Sequence, residues 1–113
     1  MIDLVKMFDS VEVPIVASDP DFNTIYMNKR AKKLYKEQNY EEDLVGTNLI
    51  ECHKPETMDK ITKLFHKFRN KEKKLSYYIG DIPGGKETVV QVPFYNNGIL
   101  IGVVEFHFEG TLT

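Results

Sequence analysis

Tryptophan is absent from this 113-residue chain, cysteine occurs once and histidine three times. A single cysteine, Cys52, excludes an internal disulfide and a four-cysteine metal site, so a reducing cytoplasm is the simplest setting. No apolar run approaches the roughly 20 residues that a membrane span needs. The opening Ile2, Asp3, Leu4, Val5 and Lys6 alternate too freely with charge for a signal peptide. Neither sign of charge dominates: 15 basic against 17 acidic residues give a net charge of −2, leaving no global basic field for nucleic acid. The remaining balance, 42% hydrophobic and 28% charged, suits a single soluble domain over residues 1–113 with one core.

Periodicity then gives the elements. Asp3 is a suitable cap for a helix in which Leu4, Val5, Phe8 and Val11 recur at helical spacing, and residues 1–12 form an N-terminal helical segment. A strand over 13–19, a turn rich in Asp and Asn, and a strand ending at Asn28 make a hairpin. Asn28 caps a helix over 29–38 whose apolar face is Ala31, Leu34 and Tyr35. An acidic link through Glu41, Glu42 and Asp43 leads to Gly46, placed for a left-handed turn. Pro55 opens a longer helix whose apolar stripe is Met58, Ile61, Leu64, Phe65 and Phe68, with His66 on the opposite, solvent face. Three strands close the chain, joined at Pro83-Gly84-Gly85-Lys86 and at Asn97-Gly98. In the last strand, strict alternation places Leu100, Val104, Phe106 and Phe108 on the core face. Ile101, Val103, Glu105 and His107 fall on the other, mixed face. The fold class is α+β: one antiparallel five-stranded sheet with the helices on one face.

Several stretches in this order resemble a PAS domain, the small sensor module of bacterial signalling proteins. The first is the hairpin of residues 13–31, with Tyr26, Asn28 and Ala31 in a Tyr-x-Asn-x-x-Ala pattern. The others are Leu44-Val45-Gly46 and the closing Asn97-Gly98 turn with Ile101-Gly102-Val103. The resemblance implies a cupped sheet with central helices as fingers, a small ligand between them where one is bound, and no enzymatic activity. Family members bind haem, flavin, organic acids or nothing, so fold alone does not decide.

The flavin photosensor type would place a cysteine where Leu49 stands, and its motif is missing. The haem oxygen-sensor type would place a histidine where Ile61 stands. Haem could still be held by His53 or Cys52, as imidazole and thiolate are good axial ligands. The stretch Leu49-Ile50-Glu51-Cys52-His53-Lys54-Pro55-Glu56 otherwise reads as a seam between helices, with Cys52 a small core residue. A metal site on Glu105 and His107 lacks further ligands. The basic run Lys29 to Lys36 reads as a solvated helix face, without the interleaved aromatics that base stacking needs.

A pocket, on this reading, is lined by Cys52, His53, Met58, Ile61 and Phe65 opposite Val92, Phe94, Val104 and Phe106, with Val90 beside them. It is strongly apolar, with Cys52 and His53 as its polar groups. A homodimer would bury Leu4, Val5 and Phe8 against Ile101 and Val103. The expectation is a non-enzymatic sensory module that binds a small ligand or partner and signals through dimer packing to a separate protein. Haem chemistry at His53 and a ligand-free dimerisation module are the alternatives.

Overall fold

In a computed structural model, which describes residues 3–38, 40 and 43–111, the capping residues act as their positions suggest. Asp3 Oδ1 accepts from the backbone of Val5 and Lys6 at 3.0 and 3.3 Å, opening α1 (Leu4–Ser10). The strands β1 (Ile15–Ser18) and β2 (Thr24–Met27) follow, and Asn28 caps α2 (Lys29–Glu37). Of the acidic link, Glu41 and Glu42 lie outside the described residues. Gly46 takes the expected left-handed conformation at φ +92°. A single 3-10 turn (Leu49–Glu51) precedes α3 (Pro55–Arg69), and β3 (Ser76–Ile82), β4 (Gly85–Asn96) and β5 (Ile99–Glu109) complete the chain.

All strand pairings are antiparallel, in the order β2-β1-β5-β4-β3. The tight turn between β4 and β5 has Asn97 and Gly98 at φ +52° and +78°, as a two-residue Asn-Gly hairpin requires. Pro14 lies just before β1 and not in an edge strand, since β1 pairs on both sides. Helix α3 packs over β5, where Phe65, Phe68, Leu100 and Val103 form the buried core with Phe22, Ile61, Leu64 and Tyr95 against it. The two phenylalanines of α3 are 4% and 0% exposed, each contributing about 1.5–3 kcal/mol by burial.

The alternation expected of β5 does not survive its first half. Tyr95 pairs with Leu100 but Phe94 pairs with Gly102, so Ile101 is an extra residue in a β-bulge. One inserted residue exchanges the faces of everything beyond it. Leu100 therefore shares the helix-covered face with Val103, Glu105 and His107, while Val104, Phe106 and Phe108 turn outward. Cross-strand pairing extends this to β4. Gln91 opposes Glu105 beneath the helices, and Val90, Val92 and Phe94 lie on the outer face opposite Phe106, Val104 and Gly102. Gly102 has no room for a side chain: an added Cβ would stand 2.2 Å from the Phe94 ring and 2.6 Å from Ser18 O. The bulge is placed where only glycine fits.

Candidate functional site

The site is built on the seam that joins the β1–β2 hairpin to α3. Asn48 closes a capping box: its side chain accepts from Ile50 N–H at 3.1 Å, and Glu51 accepts from Asn48 N–H at 3.2 Å. The Asn48 amide also donates to Asp21 O at 2.9 Å and to Asn23 Oδ1 at 3.1 Å, pinning the 3-10 turn to the hairpin. Asp19 organises that hairpin by accepting from Asp21 and Asn23 N–H at 2.9 and 3.0 Å. Within it Phe22 adopts φ +71°, a conformation costly for a bulky side chain, and its ring packs 4.8 Å from that of Phe65. The chain leaving the turn carries Cys52 and His53 to the cleft edge. His53 Nδ1 donates to Leu49 O at 2.7 Å, because a carbonyl can only accept, and Nε2 is left without a protein partner among the described residues.

Beneath this seam the sheet floor is polar, the opposite of the apolar pocket expected. His107 Nε2 bonds Glu105 at 2.8 Å and its Nδ1 faces Glu87 at 3.4 Å. Gln91 adds a bond to Glu105 at 3.2 Å. Burial opposes charge on His107, but the Glu105 hydrogen bond and the two carboxylates outweigh it and raise the imidazole above its ordinary value. Burial likewise opposes ionisation of Glu105. The His107 hydrogen bond and charge, with help from Gln91 and His53, still hold its carboxyl below the usual range. The three groups form a Glu105–His107–Glu87 row. Over it stand Tyr35 from α2 and Tyr78 from β3. Burial, reinforced by Glu105 and Glu87, pushes both phenols well above their ordinary range, so both are neutral donors. Neither hydroxyl bonds another described residue, and Tyr78 is 49% exposed.

The cleft has three connected parts, and His53 and Glu105 line all of them. A recess of about 80 Å³ lies under Ile61 and Phe65, and a second of about 220 Å³ lies between Tyr35, Tyr78 and Cys52. An open groove of about 630 Å³ runs between α3 and β3.

Each residue expected at the pocket has a definite place. Cys52 and His53 are exposed at the rim, and Cys52 is not a core residue. Ile61 and Phe65 line the cleft, whereas Met58 is buried away from it. Val92, Phe94, Val104 and Phe106 do not reach it, because the bulge turns them outward with Val90. Of the expected dimer residues, Leu4, Val5, Phe8 and Ile101 are exposed by 63%, 58%, 40% and 41%. Val103, at 4%, is packed under α3. Glu105 and His107, expected on the mixed face away from the core, line the cleft floor instead. Tyr35, Tyr78, Glu87 and Gln91 were not anticipated. Gly102 inside a strand was the available sign of the bulge that brings in the row.

A family model described as PAS domain matches residues 4–109. The chain belongs to the PAS family. No curated protein matches it. Among solved structures, it is similar to a C-terminal domain from Streptococcus mutans at 22% identity and TM-score 0.75, covering 93% of this chain and 81% of that one. The PAS domain of BvgS from Bordetella pertussis is similar at 14% identity and TM-score 0.71, covering 96% and 84%. A sensory box sensor histidine kinase from Vibrio cholerae is similar at 16% identity and TM-score 0.62, covering 97% and 90%. At these identities the likeness is one of fold. No described helix is long and apolar enough to cross a membrane, and no three His, Cys, Asp or Glu among the described residues gather to hold a metal ion.

Haem, which some PAS domains carry, can be tested against these residues. The two inner recesses at His53, of about 80 and 220 Å³ over a floor of carboxylates, do not fit a macrocycle; only the open groove of about 630 Å³, which His53 also lines, has the volume for one.

Proposed function

We propose that this PAS domain is a non-enzymatic sensory module whose cleft takes a small ligand bearing at least one polar group. The observation that carries the reading is the Glu87–His107–Glu105 row on the floor of a recess whose walls carry the phenols of Tyr35 and the half-exposed Tyr78. Convergent polar groups in a concavity are the usual mark of a ligand site. Strand β5 supplies the route outward. Its Glu105 and His107 face the cleft, and its Val104, Phe106 and Phe108 face the other side. A ligand that displaces β5 therefore alters the outer surface.

That outer surface, with the exposed Leu4, Val5 and Phe8 of α1, is where we place a homodimer contact. A two-fold arrangement would bury both patches at once. The signal would pass to a separate protein. One exposed cysteine suits a reducing cytoplasm, which we take as the setting.

Thermal shift against a panel of polar metabolites tests the ligand reading. At least one compound should stabilise the protein, and Glu105→Gln should lose the effect. A panel that stabilises nothing would favour a ligand-free dimerisation module. Sedimentation equilibrium tests the dimer: Phe8→Glu with Phe106→Glu should yield a monomer of native secondary structure.

A further inference from the structure

We infer that the groove between α3 and β3 recognises the anionic end of the ligand, a carboxylate or phosphate attached to an apolar body. This rests on the reading of the cleft as a ligand site and names the chemical class it takes. Helix α3 lays a stripe along the groove in which Ile61 and Leu64 are flanked by Lys60, Lys63 and Lys67. Lys73, from the connection to β3, faces them across the mouth. Among the described residues, of the four ammonium groups only Lys63 has a carboxylate partner, Asp59 at 2.8 Å. The one carboxylate among the described residues that lines the groove, Glu105, is already engaged by His107. The net charge of the chain is −2, so this local excess of positive charge runs against the whole. Such a patch in a concave wall concentrates anions.

The opposite wall gives the rest of the ligand its character. Tyr78 of β3 lines the wall opposite Ile61 and Leu64, and the gap between them suits a flat or apolar body. At the inner end His53 has an unpartnered Nε2 and meets Gln91 and Glu105. The groove's volume of about 630 Å³ lies in the range that small ligands fill, roughly 300–1,000 Å³. An extended acidic peptide would instead use the free edge of β3, the outermost strand, and would have no need of the closed inner end.

Two dyes of one shape provide the test: anilinonaphthalene sulfonate and its uncharged parent, phenylnaphthylamine. Binding is read by fluorescence and located by two-dimensional amide NMR spectra. The sulfonate should bind more tightly, shifting amides of Lys60 to Lys67 and of Tyr77 and Tyr78, and added salt should weaken it but not the parent. The variant Lys60→Gln/Lys67→Gln/Lys73→Gln should lose about tenfold in affinity for the sulfonate, as expected of three exposed ion pairs, with the parent unaffected. Glutamine keeps nearly the helix propensity of lysine, and far-UV circular dichroism verifies the fold. Equal binding of the two dyes, unchanged in the variant, overturns the inference and leaves the ligand cleft standing. So do shifts confined to Val92, Val104 and Phe106 on the outer face. An oligoglutamate peptide that binds more tightly than the sulfonate, with shifts along the β3 backbone, overturns it in favour of a protein partner. Failure of both dyes to bind overturns the inference, while the thermal-shift panel decides the ligand reading by itself.

Discussion

Replacing Asn28 should uncouple three elements at once. Its side chain is fully buried and uses its full hydrogen-bonding capacity. Oδ1 accepts from Ile15 N–H and Ala31 N–H, both at 2.9 Å, and Nδ2 donates to Phe8 O at 3.0 Å and Val13 O at 2.8 Å. One amide thus caps α2, starts β1 and holds the end of α1. Alanine removes the cap, a loss of about 1 kcal/mol, and strands the buried Ile15 N–H, a further 1–3 kcal/mol. The sum is about 2–4 kcal/mol. With thermal midpoints falling roughly 4–8 °C per kcal/mol in a domain near this size, the midpoint should drop by about 10 °C or more. The chain has no tryptophan, so far-UV circular dichroism under urea or heat is the assay. Asn28→Asp discriminates further. It keeps both acceptor bonds but sets a carboxylate oxygen against the carbonyls of Phe8 and Val13. It should therefore destabilise at neutral pH as much as alanine does and recover in part in acid, where a protonated carboxyl can donate to one carbonyl. An Asn28→Asp protein as stable as wild type at pH 7 would refute this reasoning.

Other outcomes follow from the same structure. Gly102→Ala drives a Cβ to 2.2 Å from the Phe94 ring and should cost about 1–3 kcal/mol, whereas Gly102→Ala with Phe94→Ala should recover part of that loss. Val103→Asp, buried under Phe65 and Phe68, should abolish cooperative unfolding, while Ile101→Asp at the exposed bulge should shift the urea midpoint little. The ionic row gives a stability maximum in pH. The raised His107 stabilises fully below its ordinary value of about 6.5 and loses this as pH rises through its higher folded value. The lowered Glu105 stabilises fully above about 4.3 and loses this as pH falls through its lower folded value. Urea midpoints should therefore peak between about pH 4.3 and 6.5, and Glu105→Gln should flatten both limbs. An absorption spectrum of the purified protein should show no Soret band.

The caps and turns were legible because local chemistry decides them. Asp3, Asn28, Pro55 and Asn97-Gly98 act on backbone groups a few residues away, and the α3 stripe Ile61, Leu64, Phe65 and Phe68 needs only helical period. The sheet's faces were not legible from alternation, because both faces of β4 and β5 are largely apolar. With little contrast between Val90, Val92, Phe94 and Val89, Gln91, Pro93, the more hydrophobic set was assigned to the core. The bulge at Ile101 then reversed the rest of β5. An interior that holds Glu105 and His107 departs from the simple pattern, and such departures concentrate where proteins bind ligands. Cys52 was read as core because free cysteines usually are, but the 3-10 turn ends at the cleft rim and leaves it exposed.

The most direct measurement is an NMR titration of the His107 imidazole, assigned by its loss in His107→Gln. With the ring held between Glu105 and Glu87 inside the cleft, its midpoint should lie above about 6.5 and fall markedly in Glu105→Gln. A midpoint below that value in the wild type, as for a buried imidazole without a carboxylate partner, would contradict the polar floor on which the sensory reading stands.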